Sequence, residues 1–210
     1  MPGLYATLAY NLSGGNLLQW FRDEWSRQEV AEAKQSGRNV YELILEQIAP
    51  QPTDLLVLPY WVASGTPYFD TRTGGAILNL RLGTTRGDVL RALIEGVAME
   101  MRLNLDILER SGLQINAFRG IGGGSRSRRM LQVKADVLGR PITPVAEAEA
   151  GCLGAAMLAM AAREGADLAE LSAQWIATGE IVEPDPEAAA YYTKRFDLYK
   201  QLRPTLKTLI

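Results

Sequence analysis

The chain has 210 residues, 47% of them hydrophobic and 22% charged, with a net charge of -2. That is ordinary globular material, long enough to bury a sizeable core, and too nearly neutral for a protein whose main partner is nucleic acid or an anionic membrane. It has no histidine and one cysteine, Cys152, which excludes an internal disulfide, a zinc site and a Ser–His or Cys–His nucleophile.

The start, MPGLYATLAY, lacks the pattern of a secretory signal, and no window approaches ~20 apolar residues, so a cytoplasmic chain without a membrane span is expected. LYATLAY (4–10) alternates and is rich in β formers, which predicts a strand. After a glycine pair, Leu17, Trp20, Phe21 and Trp25 recur at helical spacing within NLLQWFRDEWSRQEVAEAK. NVYELILEQIAPQ reads as a shorter helix ended by Pro50 and Pro52. DLLVLPYWV (54–62) reads as a buried strand or extended segment, SGTPYFDTRTGG as a loop and AILNLRL (76–82) as a further strand.

The strongest helix signal covers 86–110, where Leu90, Leu93, Val97, Met101, Leu105 and Leu108 make one apolar stripe. Thr85 with Asp88 is an N-cap signature, and Gly112 closes the helix. QINAFRGIG (114–122) predicts a strand, SRRMLQVKADVL a helix ended by Gly139, and RPITPV a short strand. EAGCLGAAMLAMAAREG predicts a helix of small residues packed closely on a sheet, with Cys152 in the core. Helices at 168–178 and 187–203 complete the chain, the last burying Tyr192, Phe196, Tyr199 and Leu202. From residue 86 onward helices and strands alternate, which points to α/β layering in a single domain, with 14–85 a candidate inserted subdomain.

The stretch GIGGGSRSRR (120–129) needs an explanation, because consecutive glycines are costly to order in a helix or strand. A dinucleotide fingerprint fails, since Ser125 stands where the third glycine belongs, and a P-loop fails for want of a following Lys-Ser or Lys-Thr. Three readings stay open on the residues alone. One is a bare tight turn. Another is a nucleotide site in which a base and ribose lie against side-chain-free backbone at a helix N-terminus. The last takes Arg126, Arg128 and Arg129 as a nucleic-acid patch, against which stand the missing aromatic platform and the slightly acidic chain.

GGGSRSRRMLQVKADVLGRPI resembles the C-terminal domain of the FGGY family of carbohydrate kinases, xylulokinase-like members especially. The resemblance is carried by Gly122–Ser127, Ala135–Gly139 and Pro141–Ile142, and extends to RALIEGVAMEMRLNLDIL (91–108), SGTPYFDTRTGGAILNL (64–80) and LAYNLSGGNLLQWFRDE (8–24). Departures fall at Ser64 and Gly65, at Gly74, and at Arg128, Arg129 and Met130, and these leave the sugar open.

The resemblance implies an actin-like ATPase (ribonuclease H-like) domain of α/β class, a mixed sheet flanked by helices and lacking its first strands. It implies that residues 1–210 form the nucleotide-binding domain, without the N-terminal sugar-binding domain that would be its partner. The reaction implied for the whole enzyme is transfer of the ATP γ-phosphate to a hydroxyl of a pentulose or related polyol. ATP or ADP with Mg2+ is the implied cofactor, the metal being held mainly by the phosphates and the other domain. Gly15, Gln19, Gly123 and Ser127 match the family's nucleotide contacts, with Gly124 beside them. No catalytic residue and no metal ligand is assigned to this chain, and alone it is expected to be inactive. Asp70 is not taken as the base, and Glu95 is expected to be a structural hydrogen-bond partner. An actin-like binding or scaffolding module without catalysis is the alternative, and an unpaired sheet edge would invite pairing with a second copy.

Overall fold

The computed structural model describes residues 5–115, 117–147 and 149–209. Twelve helices and strands follow in the order α1 (Gly15–Trp25), α2 (Arg27–Ser36), α3 (Val40–Leu45), β1 (Leu56–Leu58), β2 (Ala76–Leu78), α4 (Arg86–Arg110), β3 (Phe118–Gly120), α5 (Arg128–Leu138), β4 (Ile142–Pro144), α6 (Ala150–Glu164), α7 (Leu168–Trp175) and α8 (Pro186–Leu206). β1 pairs antiparallel with β2, and β3 pairs parallel with β4 across the α5 crossover. The α/β class holds, with the strands gathered in two small sheets.

α4 is the central element, and its sequence explains why. Thr85 Oγ1 accepts from Asp88 N while Asp88 Oδ2 accepts from Thr85 N, a reciprocal capping box. Residues from Val89 to Glu100 are buried without interruption, because α4 is covered on several sides. One core joins Leu17 and Phe21 of α1, Ile44 of α3, Val57 of β1, Leu93 of α4, Val133 of α5 and the buried face of α8. Tyr192, Phe196, Tyr199 and Leu202 form that face, as their spacing predicts. Gly96 is where α4 passes closest to β1, since a Cβ there would lie 2.7 Å from the Val57 carbonyl oxygen.

Two buried carboxylates tie α4 to its neighbours. Glu95 accepts from Thr53 Oγ1 at 2.8 Å, Tyr192 Oη at 2.5 Å and Arg91 Nε at 2.8 Å. Glu100 accepts from Tyr60 Oη at 2.9 Å and from Tyr199 Oη. Burial pushes both carboxyl groups above their ordinary range, against the pull of these donors. Glu95 is thus the structural partner expected of it.

Several expectations need correction. Residues 5–10 form no strand; Leu4 lies outside the described residues. A strand needs a ladder partner, and here the backbone of Tyr10 meets Thr66 instead, while Tyr5 is 99% and Leu8 79% exposed. The long helix after the glycine pair breaks at Ser26, whose hydroxyl donates to the Phe21 carbonyl at 3.2 Å, so α2 starts on a new axis. Cys152 is exposed, not in the core. α6 buries Met157 alone, and it packs mainly on α7 rather than on a sheet.

Candidate functional site

The glycine segment lies where β3 gives way to α5. Gly122 has φ +82°, a left-handed conformation that favours glycine, and it turns the chain into a 3-10 turn over Gly123–Arg126. Ser125 locks this turn from inside: it is buried, and its hydroxyl donates to the Gly122 carbonyl at 2.7 Å. Ser127 then caps α5, its Oγ accepting from Met130 N at 3.3 Å. The N–H groups of Arg128 and Arg129 have no intrahelical partner, so the helix start offers donors and a positive dipole end.

The N-terminus of α1 faces the same space. Asn16 Oδ1 accepts from the N–H groups of Gly14 at 2.7 Å and Leu17 at 3.0 Å, which fixes where that helix begins and puts Gly15 at its mouth. Between the two helix starts lies a cleft of about 600 Å³. Gly15, Gly123, Gly124 and Ser127 all line it, although more than a hundred residues separate the first from the others. Gln19, the fifth residue expected, is exposed one turn beyond Gly15 and is not part of the lining.

The glycines are not equivalent. A Cβ on Gly124 would meet the Met130 side chain at 3.2 Å, so this glycine serves local packing. A Cβ on Gly15 or Gly123 would meet nothing within 4 Å, and neither has a positive φ. Neither the turn nor the protein's own packing requires glycine at those two positions. Their missing side chains leave room in the cleft.

Leu18, Tyr41 and Leu45 add an apolar wall that sequence reasoning missed. Leu18 follows Gly15 by three residues in α1, but Tyr41 and Leu45 come from α3, far in sequence from all the glycines, and no local signal marks them. Of the three arginines, Arg128 pairs with Glu180 at 2.8 Å and Arg129 donates to the Glu46 carbonyl, while Arg126 stands exposed on the rim. A larger groove of about 1280 Å³ adjoins the cleft at Glu46 and Arg129, but Glu46, Asp136, Glu183, Asp185 and Glu187 line it. Those carboxylates outnumber the groove's Arg91 and Arg129 and disfavour a polyanion there, whereas in the smaller cleft Glu42 and Glu46 stand against Arg126, Arg128 and Arg129.

Asp70 does not face the cleft. Its carboxylate accepts from Arg72 N at 2.9 Å, Thr73 Oγ1 at 2.7 Å and Arg203 at 3.0 Å, which holds it well below the usual carboxylate range and ties the 64–74 loop to α8. No group of three or more carboxylate or cysteine side chains placed to hold a metal occurs among the described residues. No helix among them is long and apolar enough to cross a membrane.

The cleft thus opens between two helix N-termini, with glycine backbone in its lining. Residues 1–163 match the C-terminal domain of the FGGY family of carbohydrate kinases, and the chain belongs to that family. It is 27% identical to the xylulose kinase of Staphylococcus xylosus over 203 residues, 96% of this chain and 41% of the relative. Against the glycerol kinase of Lactobacillus acidophilus it is 32% identical over 163 residues, 75% of this chain and 31% of the relative. The crystal structure of xylulose kinase from Rhodospirillum rubrum superposes with a TM-score of 0.75 at 27% identity, covering 93% of this chain and 38% of that one. Such kinases have an actin-like ATPase fold, which this chain shares. The chain spans about two fifths of the length of the xylulose kinases it matches.

Proposed function

We propose that this chain is the ATP-binding part of a carbohydrate kinase that phosphorylates a hydroxyl of a pentulose or related polyol. The observation that carries the reading is the meeting of Gly15 and Gly123, whose added Cβ atoms would face open space, in one cleft beside the start of α5. A ribose and base fit against such backbone, and the free N–H groups at the start of α5 suit phosphate. Ser127 keeps its hydroxyl proton free to donate while its oxygen caps the helix, whereas Gln19 is exposed outside the lining. Bound Mg-ATP supplies the transferable phosphoryl group; the chain's own part is to hold the nucleoside and exclude water from it. Mg2+ is held by the phosphates and by residues outside this chain.

The sugar and the base that takes its proton belong to a partner, the sugar-binding domain. The relatives' names, xylulose kinase and glycerol kinase, support the substrate class. A second cleft, of about 400 Å³, supports the partner. It is mainly apolar, yet Ser13 Oγ and Asn104 Oδ1 are buried in it without a hydrogen-bond partner, and desolvation lowers the pKa of Lys134 on its wall. Those two atoms are enclosed, so it is the cleft's apolar wall that a partner surface would cover. Alone, the chain is inactive, and a coupled assay with xylulose or glycerol is expected to read no turnover.

The test is calorimetric titration of Mg-ADP into the chain and into Gly123→Val. The reading expects micromolar to millimolar binding that the variant loses while melting at the same temperature. Equal binding by both proteins, or none by either, would overturn it.

A further inference from the structure

Among the described residues, Tyr41 is the one aromatic side chain on the wall of the 600 Å³ cleft, and it is half-buried. Asn39 caps α3 by accepting from Tyr41 N at 2.8 Å, which fixes the backbone from which the ring projects. Arg22, reaching over from α1, donates from Nη1 to Tyr41 Oη at 2.8 Å, and its guanidinium carbon lies 5.5 Å from the ring centroid. Asp23 in turn holds Arg22, accepting at 2.7 Å. Backbone and hydroxyl are therefore held by two different residues, Asn39 and Arg22. Leu18 and Leu45, 8% and 7% exposed, line the same cleft, with the exposed Glu42 and Glu46 beside them. Gly123 and Gly124 present bare backbone elsewhere in the lining.

We propose that Tyr41 is the platform on which the nucleobase rests, and that Arg22 is a positioning residue that holds the ring in place for it. The assignment rests on the nucleotide reading above. A flat heteroaromatic ring fits between an aromatic surface and glycine backbone, and pre-ordering the tyrosine means that little rotamer freedom is lost on binding. The base thus occupies the α1–α3 end of the cleft, where Leu18 and Leu45 are apolar lining and Asn39, Glu42 and Glu46 supply polar groups. The phosphates run toward the α5 N-terminus and Arg126, the rim arginine without an ion pair among the described residues.

The assay is the Kd for Mg-ADP of the whole chain, measured with thermal unfolding for Tyr41→Ala, Tyr41→Leu, Tyr41→Phe and Arg22→Leu. Base-on-aromatic contact removed by truncation costs on the order of tenfold or more in affinity. Tyr41→Ala is expected to lose that much, and so is Tyr41→Leu, which keeps apolar volume against Leu45 but has no flat face. Tyr41→Phe is expected within about threefold of wild type, the allowance for one lost hydrogen bond. Arg22→Leu is expected to weaken binding severalfold in the wild-type background and not at all in the Tyr41→Ala background, a coupling that a merely structural arginine would not show. Wild-type affinity in a Tyr41→Leu protein that melts like wild type would overturn the assignment while leaving the nucleotide reading intact. Failure of wild type itself to bind Mg-ADP would overturn both.

Discussion

Replacing Glu95 with alanine should be the most damaging single change to the fold. Glu95 is 5% exposed and accepts four hydrogen bonds: from Thr53 N at 3.3 Å, Thr53 Oγ1 at 2.8 Å, Tyr192 Oη at 2.5 Å and Arg91 Nε at 2.8 Å. Its removal leaves the Arg91 guanidinium, itself 5% exposed, without a counter-charge. Arg91 keeps the carbonyls of Ala49 and Pro50 at 3.0 and 3.3 Å, so it stays hydrogen-bonded but unneutralised. Taking one partner from a buried pair costs about 3–5 kcal/mol. In a domain of this size each kcal/mol moves Tm by about 2–4 °C, so Tm should fall by on the order of 6–20 °C. Circular dichroism melts, with urea unfolding beside them, read this directly. The paired substitution Arg91→Met with Glu95→Leu removes both charges and should recover most of the loss. A Glu95→Ala protein within about 1 kcal/mol of wild type, the worth of one ordinary hydrogen bond, would refute the reasoning. So would a double variant no more stable than the single one.

Glu100→Gln should flatten the dependence of stability on pH. Burial raises the folded-state pKa of Glu100, so the native protein holds a proton that the unfolded chain has lost. Its contribution is therefore fully present below the unfolded carboxylate pKa and is lost as pH rises through the folded value. Urea midpoints from about pH 5 to about pH 8 should fall less steeply for the glutamine variant than for wild type. Gly96→Val should cost about 1–3 kcal/mol or more, because its Cβ would lie 2.7 Å from the Val57 carbonyl oxygen and 2.8 Å from Val57 Cβ. Gly123→Ala, facing open space, should change stability by less than about 0.5 kcal/mol in the same melt. Ser127→Ala should lose about 1 kcal/mol with the N-cap of α5, seen in the urea midpoint, besides weakening Mg-ADP.

What was legible in the sequence is what local physics decides. α4 could be read to the residue, because a capping box, a stripe at helical spacing and a length of 25 residues all point the same way. α5 and its Gly139 stop were equally local. Residues 5–10 alternate like a strand, but whether they pair is settled by distant chain, and among the described residues no ladder partner meets them. In α6 the composition suggests burial, yet burial depends on what stands opposite. The same division runs through the site. The turn at Gly122 and the cap at Ser127 follow from nearby residues, whereas the meeting of Gly15 with Gly123 is tertiary. Tyr41 and Leu45 could not be found from sequence, because nothing local ties α3 to the glycines. Nor could the partners of Glu95, since Thr53 is 42 and Tyr192 is 97 residues away.

The measurement that most directly tests the central claim is a titration of Mg-ADP into nitrogen-15-labelled chain, followed by amide resonances. A nucleotide seated in the cleft predicts shifts concentrated at Gly15, Gly123, Gly124 and the start of α5, with α7 undisturbed. Shifts confined to other surfaces, or none at millimolar nucleotide, would contradict it.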